Sequence, residues 1–229
     1  MRRIIAAGVF GASLLVLVGC GTIGSPPGPT AVPTVAVPTS EPSPPAITPS
    51  PLSGSLLPDL IGATTILLQD DWTGLSPLAP IEAHYDLKRG ANGFSGEANF
   101  SMAGYRTPEH ATETITVPMD VALNFLQTLQ DPSMQIKQGA YEPLITHTDD
   151  YPELGIQLEL PNGEKVVFYS RSQGEDNVPW GLKFGGQDYT VDSPQPSKAL
   201  GILSPYLRKD EVLSMLEQRL MDRAKTPTP

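Results

Sequence analysis

"LGIQLELPNGEKVVFYS", Leu154 to Ser170, is the stretch from which the fold of this chain is read. Apolar residues alternate with polar or small ones on both sides of Pro161-Asn162-Gly163, the period of a strand with one face on a core. Asn-Gly supplies the positive φ angles that a tight primed turn requires, so Leu154–Leu160 and Glu164–Ser170 are predicted to pair as an antiparallel hairpin. Working outward, Trp180–Phe184 and Asp188–Val191 form a second hairpin around Gly185-Gly186-Gln187.

Upstream, strands are predicted over Ala63–Gln69, Ile81–Lys88, Phe94–Met102 and Thr112–Val117. Ile81, Ala83, Tyr85 and Leu87 share one face, and Ile115 and Val117 another. Pro118 then opens a helix at a position where its missing N–H costs nothing. Val121, Phe125 and Leu129 line one side of that helix, and Asp131-Pro132 stops it. Ser197–Leu207 and Lys209–Arg223 read as two C-terminal helices. In the second, Leu213, Leu216 and Leu220 make a stripe, with acids at its start and arginines at its end, as the helix dipole favours. Strands in runs with segregated helices define an α+β class, a mainly antiparallel sheet with a central helix and two C-terminal helices. A lipocalin-like closed barrel is the alternative, disfavoured by the central helix. Trp72, Tyr85, Phe125 and Phe168 are expected to be core or half-core residues.

The beginning of the chain is of another kind. Arg2 and Arg3 precede Ile4 to Val18, an uncharged apolar run that suits a secretory signal and falls short of the roughly 20 residues of a spanning helix. It ends in Leu17-Val18-Gly19-Cys20, which holds the only cysteine in the chain. This resembles the lipobox of bacterial lipoproteins, and the resemblance covers only the first twenty or so residues. It implies that 1–19 is a signal peptide cut before Cys20. The Cys20 thiol then carries a diacylglyceryl group and becomes the lipidated N-terminus. The resemblance thus places the protein at the cell membrane, lipid-anchored on its extracytoplasmic face, with the bilayer as partner through Cys20. A single acyl chain anchors only marginally, whereas the three that such a lipoprotein can carry anchor stably.

Residues 20–56 read as the lipidated cysteine and a disordered linker. From Thr22 to Ser55 the chain is nearly all Pro, Ser, Thr, Gly, Ala and Val, with "AVPT" at 31–34 and again at 36–39. Proline removes donors and fixes φ, so this stretch is expected to be an extended, solvated spacer. Residues 57–223 then form a single domain, large enough to fold without disulfides, and 224–229 a tail.

Removing Arg2 and Arg3 leaves an excess of acid over base, a net charge of about −12. An acidic balance repels nucleic acid, which is excluded as a partner. Thiolate zinc sites are excluded with the cysteine, and His84, His110 and His147 are too scattered for a histidine cage. No cofactor is indicated. Ser95 lacks the second glycine of a nucleophile elbow, and no serine has a lysine three residues on. H-E-x-x-H, P-loop and dinucleotide patterns are missing. Asn99-Phe100-Ser101 matches a glycosylation acceptor by chance.

One constellation carries chemistry. "HTDDYP" (147–152) enters the first strand of the Asn-Gly hairpin and "SRSQGEDNVPW" (170–180) leaves the second, so both lie at the same end of it. Asp149, Asp150, Tyr151, Gln173, Asn177 and Trp180 would gather there. Carboxylates, amides and an aromatic face suit a protein, peptide or glycan ligand, or a calcium ion. The opposing reading is that these are turn formers and that Trp180 is buried. Without a nucleophile–base pair, a non-catalytic binding or interaction module is the expected function. A carboxylate-dependent hydrolase acting on glycans is the alternative, needing two carboxylates about 5 to 10 Å apart.

Overall fold

A computed structural model describes residues 56–74, 78–104, 107–146 and 151–225. In chain order the elements are β1 (Thr65–Thr73), β2 (Ile81–Gly90), β3 (Gly93–Met102), β4 (Glu109–Pro118), α1 (Met119–Thr128) and β5 (Ile136–Gln138). They continue with β6 (Tyr151–Glu159), β7 (Lys165–Ser170), β8 (Trp180–Phe184), β9 (Gln187–Val191), α2 (Gln195–Leu207) and α3 (Lys209–Lys225). The nine strands form one sheet in the order β4-β3-β2-β1-β6-β7-β8-β9-β5, with every neighbouring pair antiparallel. This is an α+β fold dominated by an antiparallel sheet. Among the described residues β4 and β5 do not pair, so the sheet is open and the closed barrel is ruled out.

Two meanders make up the sheet, β1–β4 and β6–β9, joined where β1 runs antiparallel to β6 over nine residue pairs. Alternation decides which face each residue takes. Ile66 and Leu68, Ala83 and Tyr85, Ile156 and Leu158, and Val166 and Phe168 all point to one face and are buried. The helices cover that face. α1 contributes Ala122, Phe125 and Leu126, and α2 contributes Ala199 and Leu203. Each such leucine or phenylalanine is worth about 1.5–3 kcal/mol for leaving water. Val212 and Leu216 are the buried residues of α3, which carries Asp210 and Glu211 in its first turn and Arg223 and Lys225 in its last.

Turn chemistry departs from expectation at both hairpins. Leu160 N–H bonds to Glu164 O and Gly163 N–H to Leu160 O, so Pro161, Asn162 and Gly163 form a three-residue loop. Only Gly163 takes positive φ, at 80°, because Pro161 favours a type I turn that ends in a glycine bulge. The two-residue primed turn lies instead between β8 and β9. There Phe184 pairs with Gln187, and Gly185 and Gly186 have φ of 57° and 72°. Ala63 precedes its strand, closing a 3-10 turn over Leu60–Gly62 that Asp59 caps. Trp72 is 40 % exposed at the end of β1, outside the core or half-core place expected for it. β5 is only three residues long and carries no periodic signal.

Candidate functional site

The face of the sheet away from the helices carries the polar half of each alternation. Cross-strand register aligns these residues in rows. In one row Tyr169 pairs with Gly155, Gly155 with Gln69, Gln69 with His84, and His84 with Asn99. In the next row Val167 pairs with Gln157, Gln157 with Leu67, and Leu67 with Asp86. Across these rows lies an open depression of about 400 Å³.

Two glycines shape it. Gly155 leaves a gap between Gln69 and Tyr169, and a Cβ there would stand 3.2 Å from the Cβ of Gln69. Gly181, on the far side of Tyr169, lets the Tyr169 ring lie down on the backbone of β8. A Cβ at Gly181 would fall 2.3–2.6 Å from ring atoms. Lys183 Nζ is 5.4 Å from the centre of that ring, and Tyr141 meets it edge-on at 5.0 Å. Burial, then Asp188 and Tyr141, push the Tyr169 hydroxyl pKa upward, so it stays protonated.

Asp71 organises the other side. Its carboxylate accepts from Gln69 Nε2 at 2.7 Å, from the Ala83 N–H at 3.2 Å, and from His84 Nε2 at 3.0 Å. The β1–β2 ladder is interrupted here, and the Asp71 side chain takes over the Ala83 donor. An ionised carboxylate only accepts, so a proton of His84 lies on Nε2, toward Asp71. Thr112 Oγ1 donates to Asn99 Oδ1 at 2.9 Å and leaves the Asn99 amide N–H groups available. The lining therefore offers three amides, one imidazole and one carboxylate around Leu67 and Val167, with no serine, threonine, cysteine or lysine among them. Such a set can bind and orient a polar ligand, and Asp86 is its one carboxylate.

The loop residues singled out by sequence fare unevenly. Trp180 is fully buried, its Nε1 donating to Asp176 O at 3.2 Å, so it presents no ring to a ligand. Gln173 Oε1 accepts from Thr146 N and Oγ1, which ties down the segment before β6. Asn177 takes φ 56°, and its carbonyl accepts from Ser170 Oγ at 2.6 Å. Ser170, Ser172 and Tyr141 complete this buried network, which is turn and loop construction. Asp149 and Asp150 lie outside the described residues. Among the described residues no three His, Cys, Asp or Glu side chains gather to hold a metal ion.

Tyr151 is the exception. It precedes Glu153, Gly155 and Gln157 in alternation on the outer face, and Arg171 lies 4.8 Å from its ring centre while bonding Glu153 at 2.7 Å. Neither Tyr151 nor Arg171 lines the depression. Sequence reading missed Gln69, His84, Asn99 and Gln157 because each is an ordinary outward strand residue. The only available signal was the pair of glycines, Gly155 and Gly181, breaking two strand patterns.

No family model, no curated protein and no solved structure matches this chain. Among the described residues no helix is long and apolar enough to cross a membrane.

Proposed function

We propose that this chain is an extracytoplasmic lipoprotein, anchored to the cell membrane through lipidated Cys20, whose α+β domain is a non-catalytic binding module for a neutral saccharide. The central helix and the two C-terminal helices serve as its scaffold, and the outer face of the sheet as its working surface. The observation that carries the binding reading is the lining of the depression, where Gln69, Gln157 and Asn99 meet His84 and Asp86. Each sugar hydroxyl both donates and accepts, and amides beside a carboxylate and an imidazole supply both roles. Neither lysine nor arginine lines the depression, which argues against an anionic ligand. Asp86 is the one carboxylate of the lining, where the hydrolase alternative needs two, which argues against that alternative.

Two experiments test the two halves. A glycan array probed with the full chain should show saturable binding that Gly155→Leu abolishes; binding undiminished by that substitution would move the site elsewhere. Cys20→Ala should release the chain from the detergent-extracted membrane fraction or leave it unprocessed. Normal processing and membrane retention would refute the anchor.

A further inference from the structure

The depression is a groove that runs across the strands, with sides and without end walls. One lining row passes from Asn99 on β3 through His84, Gln69 and Gly155 to Tyr169 on β7. Long side chains, several of them bonded to each other, stand along both flanks. On one flank Asp71 faces Glu153, which bonds Arg171 at 2.7 Å, and Ser101 Oγ donates to Glu82 at 2.7 Å. On the other, one row past Leu67 and Gln157, Glu159 bonds Lys165 at 3.0 Å, and Lys88 stands opposite Thr65. The ends are lower. Past Asn99 the row meets Thr112, a short side chain on the edge strand β4. At the other end the Tyr169 ring lies down on Gly181, and the row goes on to Thr190. Between the flanks, the side chains of Gln157 and Asp86 have no hydrogen bond or ion pair among the described residues.

We infer that this groove takes an internal segment of a linear, neutral oligosaccharide lying across the strands, a conclusion that rests on the saccharide reading and narrows it. From β3 to β7 is four strand spacings, about 19 Å, the length of about four pyranose units in an extended chain. A site that reads a single sugar or a chain terminus needs a wall where the chain stops. Here the chain leaves over Thr112 at one end and over the flattened Tyr169 ring at the other. A chain laid along the strands would instead have to cross Glu153 and Asp71 on one side and Glu159 and Lys165 on the other. Polar groups recur at the strand spacing, with Asn99, His84 and Gln69 on successive strands. Hydroxyls of successive sugar units therefore meet donors and acceptors in turn.

The test is calorimetric titration of the full chain in detergent with three linear series, β-1,4-linked glucose, α-1,4-linked glucose and β-1,4-linked N-acetylglucosamine, each from monosaccharide to hexasaccharide. In every series that binds, affinity should rise at least about tenfold from disaccharide to tetrasaccharide, then change less than about threefold up to the hexasaccharide. A hexasaccharide blocked with a bulky aryl group at each end should bind within about threefold of the free one. Gln157→Ala should weaken the tetrasaccharide at least about fivefold, with thermal unfolding to check that the variant folds. A monosaccharide bound as tightly as the tetrasaccharide, or a blocked hexasaccharide that fails to bind, overturns the inference and leaves the saccharide reading standing. Gln157→Ala binding like wild type overturns it by moving the site. No binding in any of the three series also overturns it, and only a glycan array that stays blank as well removes the saccharide reading itself.

Discussion

The two carboxylate oxygens of Asp71 lie 3.0 and 3.1 Å from Nε2 of His84, across the interrupted stretch of the β1–β2 ladder. The Asp71 side chain is 13 % exposed and that of His84 52 %, so the acid is the supporting member and the imidazole the presented one. Asp71 also holds Gln69 Nε2 and the Ala83 N–H. One carboxylate thus orients two of the depression's polar groups and stands in for a missing backbone acceptor.

Asp71→Ala should therefore cost stability as well as binding. It leaves the N–H of buried Ala83 without its acceptor, at about 1–3 kcal/mol. Urea unfolding measures the loss, and a midpoint unchanged from wild type would show that water replaces the carboxylate fully. Asp71→Asn, which keeps one acceptor oxygen, should lose less.

Tyr169 and Gly181 should be coupled. Gly181→Ala forces a methyl into the Tyr169 ring and should destabilise by about 1–3 kcal/mol. In a Tyr169→Ala background the same substitution should cost clearly less, because the atoms it strikes are gone. Equal costs in both backgrounds, read from a double-mutant cycle of unfolding free energies, would mean that the clash is relieved by other means.

Tyr85 makes stability depend on alkaline pH. Its hydroxyl is buried with no hydrogen-bond partner among the described residues, and burial, then Asp70 and Asp210, push its pKa well above the usual tyrosine range. The folded state therefore binds the proton more tightly than the unfolded chain. The contribution is fully present below the unfolded pKa of about 10 and is lost as pH rises beyond it. Tyr85→Phe should be neutral or stabilising by about 1 kcal/mol at pH 7. It should also flatten the decline in stability above about pH 10. Urea titrations at the two pH values read both effects; a variant clearly less stable at pH 7 would contradict them.

The two tryptophans should separate optically. Trp180 is fully buried and Trp72 is 40 % exposed. Trp72→Phe should remove the red-emitting, acrylamide-accessible fluorescence and leave blue-shifted emission from Trp180. Trp180→Ala should destabilise by about 3–5 kcal/mol. Quenching that persists unchanged in Trp72→Phe would contradict the burial of Trp180.

The β6–β7 and β8–β9 hairpins were legible in the sequence because each is closed by a short glycine turn, and the strands of the first meander were legible as strands through alternation, as in Ile81 to Leu87, but not in their order. The β1–β6 junction and the β5 edge were not, since they join segments distant in the chain and β5 is too short to show a period. The helix limits came within a few residues. α2 begins at Gln195, ahead of the expected Ser197, since Pro196 is tolerated in a first turn. The depression escaped for the same reason as the junction. Gln69, His84 and Gly155 become neighbours only through that pairing. The loop cluster, by contrast, was drawn from residues close in sequence, and composition alone could not tell ligand chemistry from turn chemistry at Gln173 and Asn177.

The most direct measurement is a residue-resolved ¹⁵N–¹H titration of the full chain with the neutral oligosaccharides selected on the array. The account predicts saturable shifts at the Gly155 backbone amide and the side-chain amides of Gln69, Gln157 and Asn99, lost in Gly155→Leu. Shifts confined to the 171–177 and 144–146 segments, or no shift with any saccharide, would contradict it.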